Sequence, residues 1–386
     1  MIELPIPAPD AIAHSEKLVH LIHDELTRNH GFIPFARFME LALYAPGLGY
    51  YSAGTQKFGA TGDFVTAPEI SPLFSQCLAR QCQQVLEQLD QGIILELGAG
   101  SGVMAADILS TLEQQKCLPE RYLILEVSAE LQQRQRTTLA QRIPHLLDKV
   151  EWLTTLPLKP INGIILANEV ADALPVQRFI IENNACYELY VGYENDQFIW
   201  HKMPASAELI KHLPDELLNS QTIYSSEINL MLPGWIKSLS QALQKGLILL
   251  IDYGFPQREL YHPDRYMGTL MCHYRHHAHS DPFWLPGLQD ITAHVDFTAI
   301  AESAHKAGLE VSGYTHQAAF LLGTGLLEFA QNFMHKLPQQ LVLSQQIQIL
   351  TSPSEMGELF KIIGLTRDFY MEKWLGFSMQ DRRMSL

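Results

Sequence analysis

Apolar residues recur along this chain in two rhythms, and the change of rhythm predicts its architecture. Near the start the spacing is helical. Ala11 to Thr27 places Leu18, Leu21, Ile22 and Leu26 on one face, and Ile33 to Tyr44 repeats the pattern with Phe35, Phe38, Met39 and Leu43. Phe74 to Leu89 predicts another helix. Short unbroken apolar runs then alternate with helical stretches. Ile93 to Leu97, Arg121 to Val127, Lys149 to Thr154 and Gly163 to Ala167 read as strands, and Val103 to Leu109 and Ser128 to Arg142 as helices. Strands this apolar need helices on both faces of their sheet. The class is therefore α/β, a Rossmann-like, doubly wound, mostly parallel sheet.

Later elements extend the sheet. Leu230 to Gln244 and Thr298 to Ala307 predict helices, Leu247 to Ile251 and Leu309 to Thr315 strands, and the rest is helical with a last strand near Ile362 to Arg367. Three stretches break the alternation. Pro46 to Pro72 is punctuated by glycine and proline yet rich in aromatics, which suits an ordered lid or binding loop. Phe179 to His201 is β-rich, with turn signals at Glu182-Asn183-Asn184 and Glu194-Asn195-Asp196. Phe255 to Asp296 reads as irregular. The expected organisation is a helical segment with an aromatic loop over 1–90, a core over 91–316 with insertions near 176–235 and 254–296, and a helical region over 317–386 that completes the core.

Composition narrows the function classes. With 47% hydrophobic and 18% charged residues among 386, the chain can bury a large core. A net charge of −15 supplies no basic footprint for nucleic acid and fits a cationic substrate or partner. The five cysteines (Cys77, Cys82, Cys117, Cys186 and Cys272) are scattered, which argues against a disulfide framework or zinc site. No apolar run has membrane-spanning length. The first residues lack the basic-then-apolar layout of a signal peptide and the arginines of a transit peptide. The expected location is the cytoplasm.

The chemistry gathers at strand ends. Glu96-Leu97-Gly98-Ala99-Gly100-Ser101-Gly102 closes the first core strand with glycines at alternate positions, one residue tighter than the Gly-x-Gly-x-x-Gly of dinucleotide folds. This form points to S-adenosylmethionine, the alternative being an ordinary strand-to-helix turn. Glu126, at the end of the second strand, is placed to accept ribose hydroxyls; otherwise it caps the next helix. Asn168, Glu169 and Asp172 follow the fourth strand, where ligands gather in such sheets, unless one of them caps a following helix. Methyl transfer needs an aligned nucleophile and polar groups to hold it, and a nitrogen nucleophile also needs an acceptor for its N–H groups. His273-Tyr274-Arg275-His276-His277-Ala278-His279 reads as a solvated polar loop, with His276 a further site candidate. Metal ligation is not expected, because the histidines lack a compact ligand spacing.

These motifs stand in a recognisable order: Gly49-Tyr50-Tyr51, Gly62-Asp63-Phe64-Val65-Thr66-Ala67-Pro68-Glu69-Ile70-Ser71, the glycine motif, Ala167-Asn168-Glu169 with Asp172-Ala173-Leu174-Pro175, Ile251-Asp252-Tyr253-Gly254, Arg265 with Gly268-Thr269-Leu270, and Pro286-Gly287 with Asp290 to Phe297. The chain resembles the MidA-like methyltransferases from about residue 20 to about 370, with Ala99 where many relatives carry proline. The mitochondrial members of that family are arginine methyltransferases that support assembly of respiratory complex I. The resemblance implies S-adenosyl-L-methionine as cofactor and an arginine-containing protein as substrate. It also implies an active cleft lined by Asp63, Glu69, Asp290, His294 and Asp296. Glu96, Gly98, Gly100, Gly102, Glu126 and Asn168 are then the cofactor-binding candidates. Asn168, Glu169, Asp172, Glu69, Asp63, Asp296 and His294 are the catalytic ones. Two other readings stay open: an assembly factor that binds the cofactor without turnover, and a methyltransferase for a small molecule or RNA, the charge speaking against RNA.

Overall fold

The computed structural model describes residues 4–53, 65–218, 222–331 and 337–386. The chain divides into two compact units. One comprises 65–171, 233–256 and 295–386, the other 1–64, 172–232 and 257–294.

The first of these holds the sheet that the apolar runs predict. Its strands are β1 (Ile93–Leu97), β2 (Tyr122–Leu125), β3 (Val150–Leu153), β4 (Ile161–Asn168), β5 (Leu243–Phe255), β6 (Glu310–His316) and β7 (Phe360–Arg367). They lie in the order 3-2-1-4-5-7-6, and a two-residue strand, Val295–Asp296, adds to the end of β5. Neighbours from β3 through β5 pair in parallel, whereas β7 runs antiparallel to both β5 and β6. The last strand of the chain thus inserts between two earlier ones. The order reverses between β1 and β4, and a doubly wound sheet binds its ligands at the carboxyl ends of strands beside such a reversal.

Helices α1 (Pro72–Leu86), α2 (Val103–Gln114), α3 (Ala129–Arg142) and α4 (Phe297–Lys306) accompany the sheet. Leu78, Val85, Ile108 and Leu112 pack with Ile94, Ile124, Ile164 and Leu249 in one continuous core. Each buried aliphatic side chain of this kind contributes roughly 1.5–3 kcal/mol.

The second unit is built from antiparallel strands and the N-terminal helices. Gln177–Glu182, Ala185–Glu194 and Gln197–Pro204 form consecutive hairpins, flanked by Ile33–Pro34 and Tyr224–Ile228. Both hairpins turn on two residues with positive φ: Asn183 and Asn184 at 51° and 60°, Asn195 and Asp196 at 50° and 61°. Asn and Asp tolerate this left-handed backbone, and paired positive φ values match the twist of the strands they join. The predicted turn signals fall on these positions. Leu18, Ile22, Phe35, Phe38 and Val191 supply the core of this unit.

Two readings change. The 255–296 stretch is more regular than its composition suggests, because Met271–Tyr274, His277–His279 and Asp290–Thr292 form a small antiparallel sheet. The histidine run is therefore a hairpin, with exposed Arg275 and His276 at its tip and φ values of 45° and 63°. Alternate pairing lets polar side chains occupy a strand, and the composition of the run hid this. No helix follows β4: the chain turns at 172–174 and enters the strand Gln177–Glu182, so neither Asn168 nor Asp172 is a helix cap. Of the aromatic loop, 54–64 lies outside the described residues, and with it Asp63. No described helix is long and apolar enough to cross a membrane.

Candidate active site

The carboxyl ends of β1, β2 and β4 bring most of the sequence-derived candidates into one unit. At the end of β1 the chain turns through Gly98, Gly100 and Gly102, with φ of 62°, 52° and 84°. A side chain at Gly102 would press on Leu139 Cδ1 at 2.9 Å and Gln135 Cα at 3.1 Å, so close packing against α3 demands glycine. A Cβ at Gly100 would meet nothing within 4 Å, which leaves open space beside that stretch of backbone. Gly102 is the N-cap of α2 and brings no side-chain acceptor to the first turn. Ser101 Oγ accepts the Val103 N–H at 3.4 Å, and the positive end of the α2 dipole suits a carboxylate.

Glu96, just before the turn, points into the core. Its Oε2 accepts the Tyr122 hydroxyl at 2.6 Å, while Oε1 is buried without a hydrogen-bond partner. Burial pushes the carboxyl from 4.5 up to about 7, the Tyr122 hydroxyl opposes the rise, and the charge of Glu126 adds to it. A buried orphan acceptor is costly unless a ligand group completes it.

Glu126, beyond β2, is also buried. Its Oε1 accepts the Ser128 N–H at 2.9 Å and its Oε2 the Gln135 amide at 3.1 Å. Ser128 itself caps α3 through Leu131 N–H, which removes capping as the reason for an acid at 126. A carboxylate offers about four acceptor positions, the chemistry that a pair of ribose hydroxyls calls for. Gln135 joins the parts: its amide also donates to the Gly100 carbonyl at 3.1 Å, and its Oε1 accepts the Trp152 indole N–H at 3.0 Å. Sequence reasoning missed Gln135, although Leu131, Gln135 and Leu139 are spaced as one buried helical stripe.

At the end of β4 the Asn168 amide donates to Glu169 Oε1 at 3.1 Å, and Asn168 Oδ1 is buried without a hydrogen-bond partner. Glu169 has φ 53°, a conformation that costs a non-glycine residue about 1–2 kcal/mol. Asp252, at the end of β5, accepts the N–H groups of Val170 and Ala171 at 3.2 and 2.9 Å and that of Tyr253 at 2.9 Å. The two strand ends are adjacent, since a Cβ at Gly98 would lie 3.3 Å from Val170 Cγ2. Glu69 accepts the hydroxyl of Ser101, within the glycine turn. Asp296 caps α4 through the Ala299 N–H at 2.9 Å.

The remaining described candidates belong to the other unit. Asp172 is buried, and its carbonyl accepts the Ala293 N–H at 3.1 Å. The His294 N–H donates to the Thr269 hydroxyl at 3.1 Å. Tyr51, stacked on Tyr44 with ring centroids 5.5 Å apart, donates its hydroxyl to buried Asp290 at 3.0 Å. Burial, and after it the charge of Asp290, holds the Tyr51 phenol protonated well above the ordinary tyrosine range. His276 lies exposed at its hairpin tip beside Arg275.

The donor set suits a nucleoside with an amino-acid tail: an open glycine turn, an acid poised for two hydroxyls, and the orphan oxygens of Glu96 and Asn168 for polar or cationic groups. Comparison with known proteins agrees. Residues 77–315 match the family described as "Putative S-adenosyl-L-methionine-dependent methyltransferase". A COG1565 superfamily member from Burkholderia thailandensis, solved with S-adenosyl-homocysteine, is 41% identical over 100% of both chains with a TM-score of 0.94. A Drosophila melanogaster protein named as the mitochondrial homolog of protein arginine methyltransferase NDUFAF7 is 28% identical over 87% of this chain and 82% of its own. The Homo sapiens protein arginine methyltransferase NDUFAF7, mitochondrial, is 26% identical over 90% and 82%. These relatives overturn the cytoplasmic expectation, since they carry mitochondrial names. That expectation rested on scattered cysteines, short apolar runs and the character of the first residues, none of which names a compartment. By its glycine turn, its strand order and these likenesses, the chain belongs to the MidA-like family of S-adenosyl-L-methionine-dependent methyltransferases.

Proposed function

We propose that the protein transfers a methyl group to a guanidinium nitrogen of an arginine in a protein substrate. The observation that carries this reading is the hydrogen-bonded Asn168–Glu169 pair, next to the glycine turn at the reversal of strand order. The names of the curated relatives support arginine as acceptor.

S-adenosylmethionine, when bound, supplies a methyl group on a cationic sulfonium. The chain's residues hold and orient. The open backbone at Gly100 and the first turn of α2 would lie against the donor's amino-acid end, and Glu126 would take its ribose hydroxyls. Glu96 and Glu69 take the side of its ammonium. Asn168 and Glu169 would lie toward the sulfonium and the incoming nitrogen, where Glu169 would accept guanidinium N–H bonds and orient that nitrogen. The other unit carries acids of its own, buried Asp172 and Asp290, the second of which holds the Tyr51 hydroxyl. Asp63 and Asp296 complete the candidates for acceptor recognition, and Asp296 already uses one oxygen as a helix cap.

The test is incubation with methyl-labelled S-adenosylmethionine and a cell extract. Label is expected in the protein fraction, on arginine. Glu126→Ala should weaken S-adenosylhomocysteine binding by about tenfold in calorimetry, one lost charge-assisted pair. Label confined to low-mass material would replace the protein acceptor with a small molecule. Tight cofactor binding with no label in any fraction would identify an assembly factor.

A further inference from the structure

Glu169 sits in a left-handed conformation, and the structure shows what holds it there. The parallel ladder between β4 and β5 ends at the Asn168–Ile251 pair. Beyond it, the Glu169 N–H donates to the Ile251 carbonyl at 2.9 Å, and the next two N–H groups converge on Asp252 Oδ2. Asp252 is 2% exposed, and its Oδ1 takes the N–H of Tyr253. Three charge-assisted bonds compensate a carboxylate that far from water. Across the antiparallel ladder Asp252 faces Lys361, 3% exposed, whose ammonium donates to the carbonyls of Glu358 and Leu359 and lies 4.9 Å over the Phe255 ring. Asp252 is therefore a buried carboxylate that grips backbone N–H groups, two of them on the residues straight after Glu169.

We propose that Asp252 is the positioning residue for the acid at the methyl-transfer centre: gripping Val170 and Ala171, it keeps Glu169 turned toward the Asn168 amide and so fixes the carboxylate beside the sulfonium. The inference rests on the placement of Asn168 and Glu169 proposed above. It needs no knowledge of the acceptor, because S-adenosylmethionine and S-adenosylhomocysteine differ by the charge a nearby carboxylate senses.

Calorimetry with both compounds on the full chain reads that preference. Glu169→Gln should lower the preference for S-adenosylmethionine about fivefold, the size of a partly solvated ion pair. Asp252→Asn turns an N–H donor toward backbone donors, frees the turn, and should lower the preference by a similar factor. The double variant should fall no further than either single one, and S-adenosylhomocysteine affinity should stay within about twofold of the parent, since residues acting as a unit are not additive. Amide exchange at Val170 and Ala171 should quicken at least tenfold in Asp252→Asn and not in Glu169→Gln. Asp252→Ser serves should the amide variant fail to fold. An unchanged preference in Asp252→Asn, an equal weakening of both compounds, or factors that multiply in the double variant would each overturn the proposal. Should Glu169→Gln alone leave the preference intact, the placement of Glu169 is wrong and the positioning role falls with it.

Discussion

The ends of β1 and β4 solve the same problem in opposite ways. Both must turn the chain sharply and leave polar groups at the carboxyl edge of the sheet. After β1 the left-handed residue is Gly98, with φ 62°, and further glycines follow. After β4 it is Glu169, with φ 53°. The first turn removes the side chain so that backbone can lie against a ligand. The second keeps a side chain in an unfavourable conformation and secures it with Asp252. Each end also buries one polar residue with an orphan oxygen, Glu96 in the first and Asn168 in the second. Of these two residues only the acid can exchange a proton, so only Glu96 makes its orphan oxygen respond to pH.

That last difference yields the largest expected effect. The folded-state pKa of Glu96 is raised by burial from 4.5 to about 7. Between those values the folded form keeps a proton that the unfolded chain has lost, so stability falls as pH rises through the window. The loss from this one group is about 3 kcal/mol. Urea unfolding of the parent and Glu96→Gln at pH 4.5 and pH 7.5 should give curves that diverge by that amount as pH rises, the variant being the flatter. Parallel curves would mean that Glu96 does not carry a buried proton.

Next comes the strained turn. Glu169→Gly would make the β4 end resemble the β1 end. Relief of the left-handed conformation should raise stability by about 1 kcal/mol in urea unfolding. Methyl transfer should fall about 100-fold, since the glycine keeps the turn and loses the carboxylate. Transfer that survived would show that the strain serves folding, not chemistry.

The smallest effect comes from the other unit, at a left-handed residue of a hairpin turn. Asn184, with φ 60° in a two-residue hairpin turn, should lose about 1 kcal/mol of stability on change to Ala and none on change to Gly. Cofactor affinity should not move in either. A change in affinity would link that hairpin to the site and remove the contrast.

The hydrophobic rhythm alone placed the core strands to within a few residues, and with them the acids at 96, 126 and 169. A parallel sheet covered on both faces forces unbroken apolar runs, and function collects where those runs end. The glycine spacing was equally legible, because only glycine meets both the positive φ and the contact with α3 at position 102. The late insertion of β7 between β5 and β6 was not legible, since pairing order is not written in the periodicity of any one strand. Gln135 hid among the four glutamines of α3, and Asp252 stood out only as part of the Ile251-Asp252-Tyr253-Gly254 motif, with no role attached. Their roles arise when β2 meets α3 and when β5 lies against β4. The sequence by itself determined which segments become strands and which polar residues fall at their carboxyl ends. Only the tertiary structure decided which buried polar atoms keep a partner and which are left for a ligand, because a hydrogen bond between distant segments exists only once packing has excluded water from both.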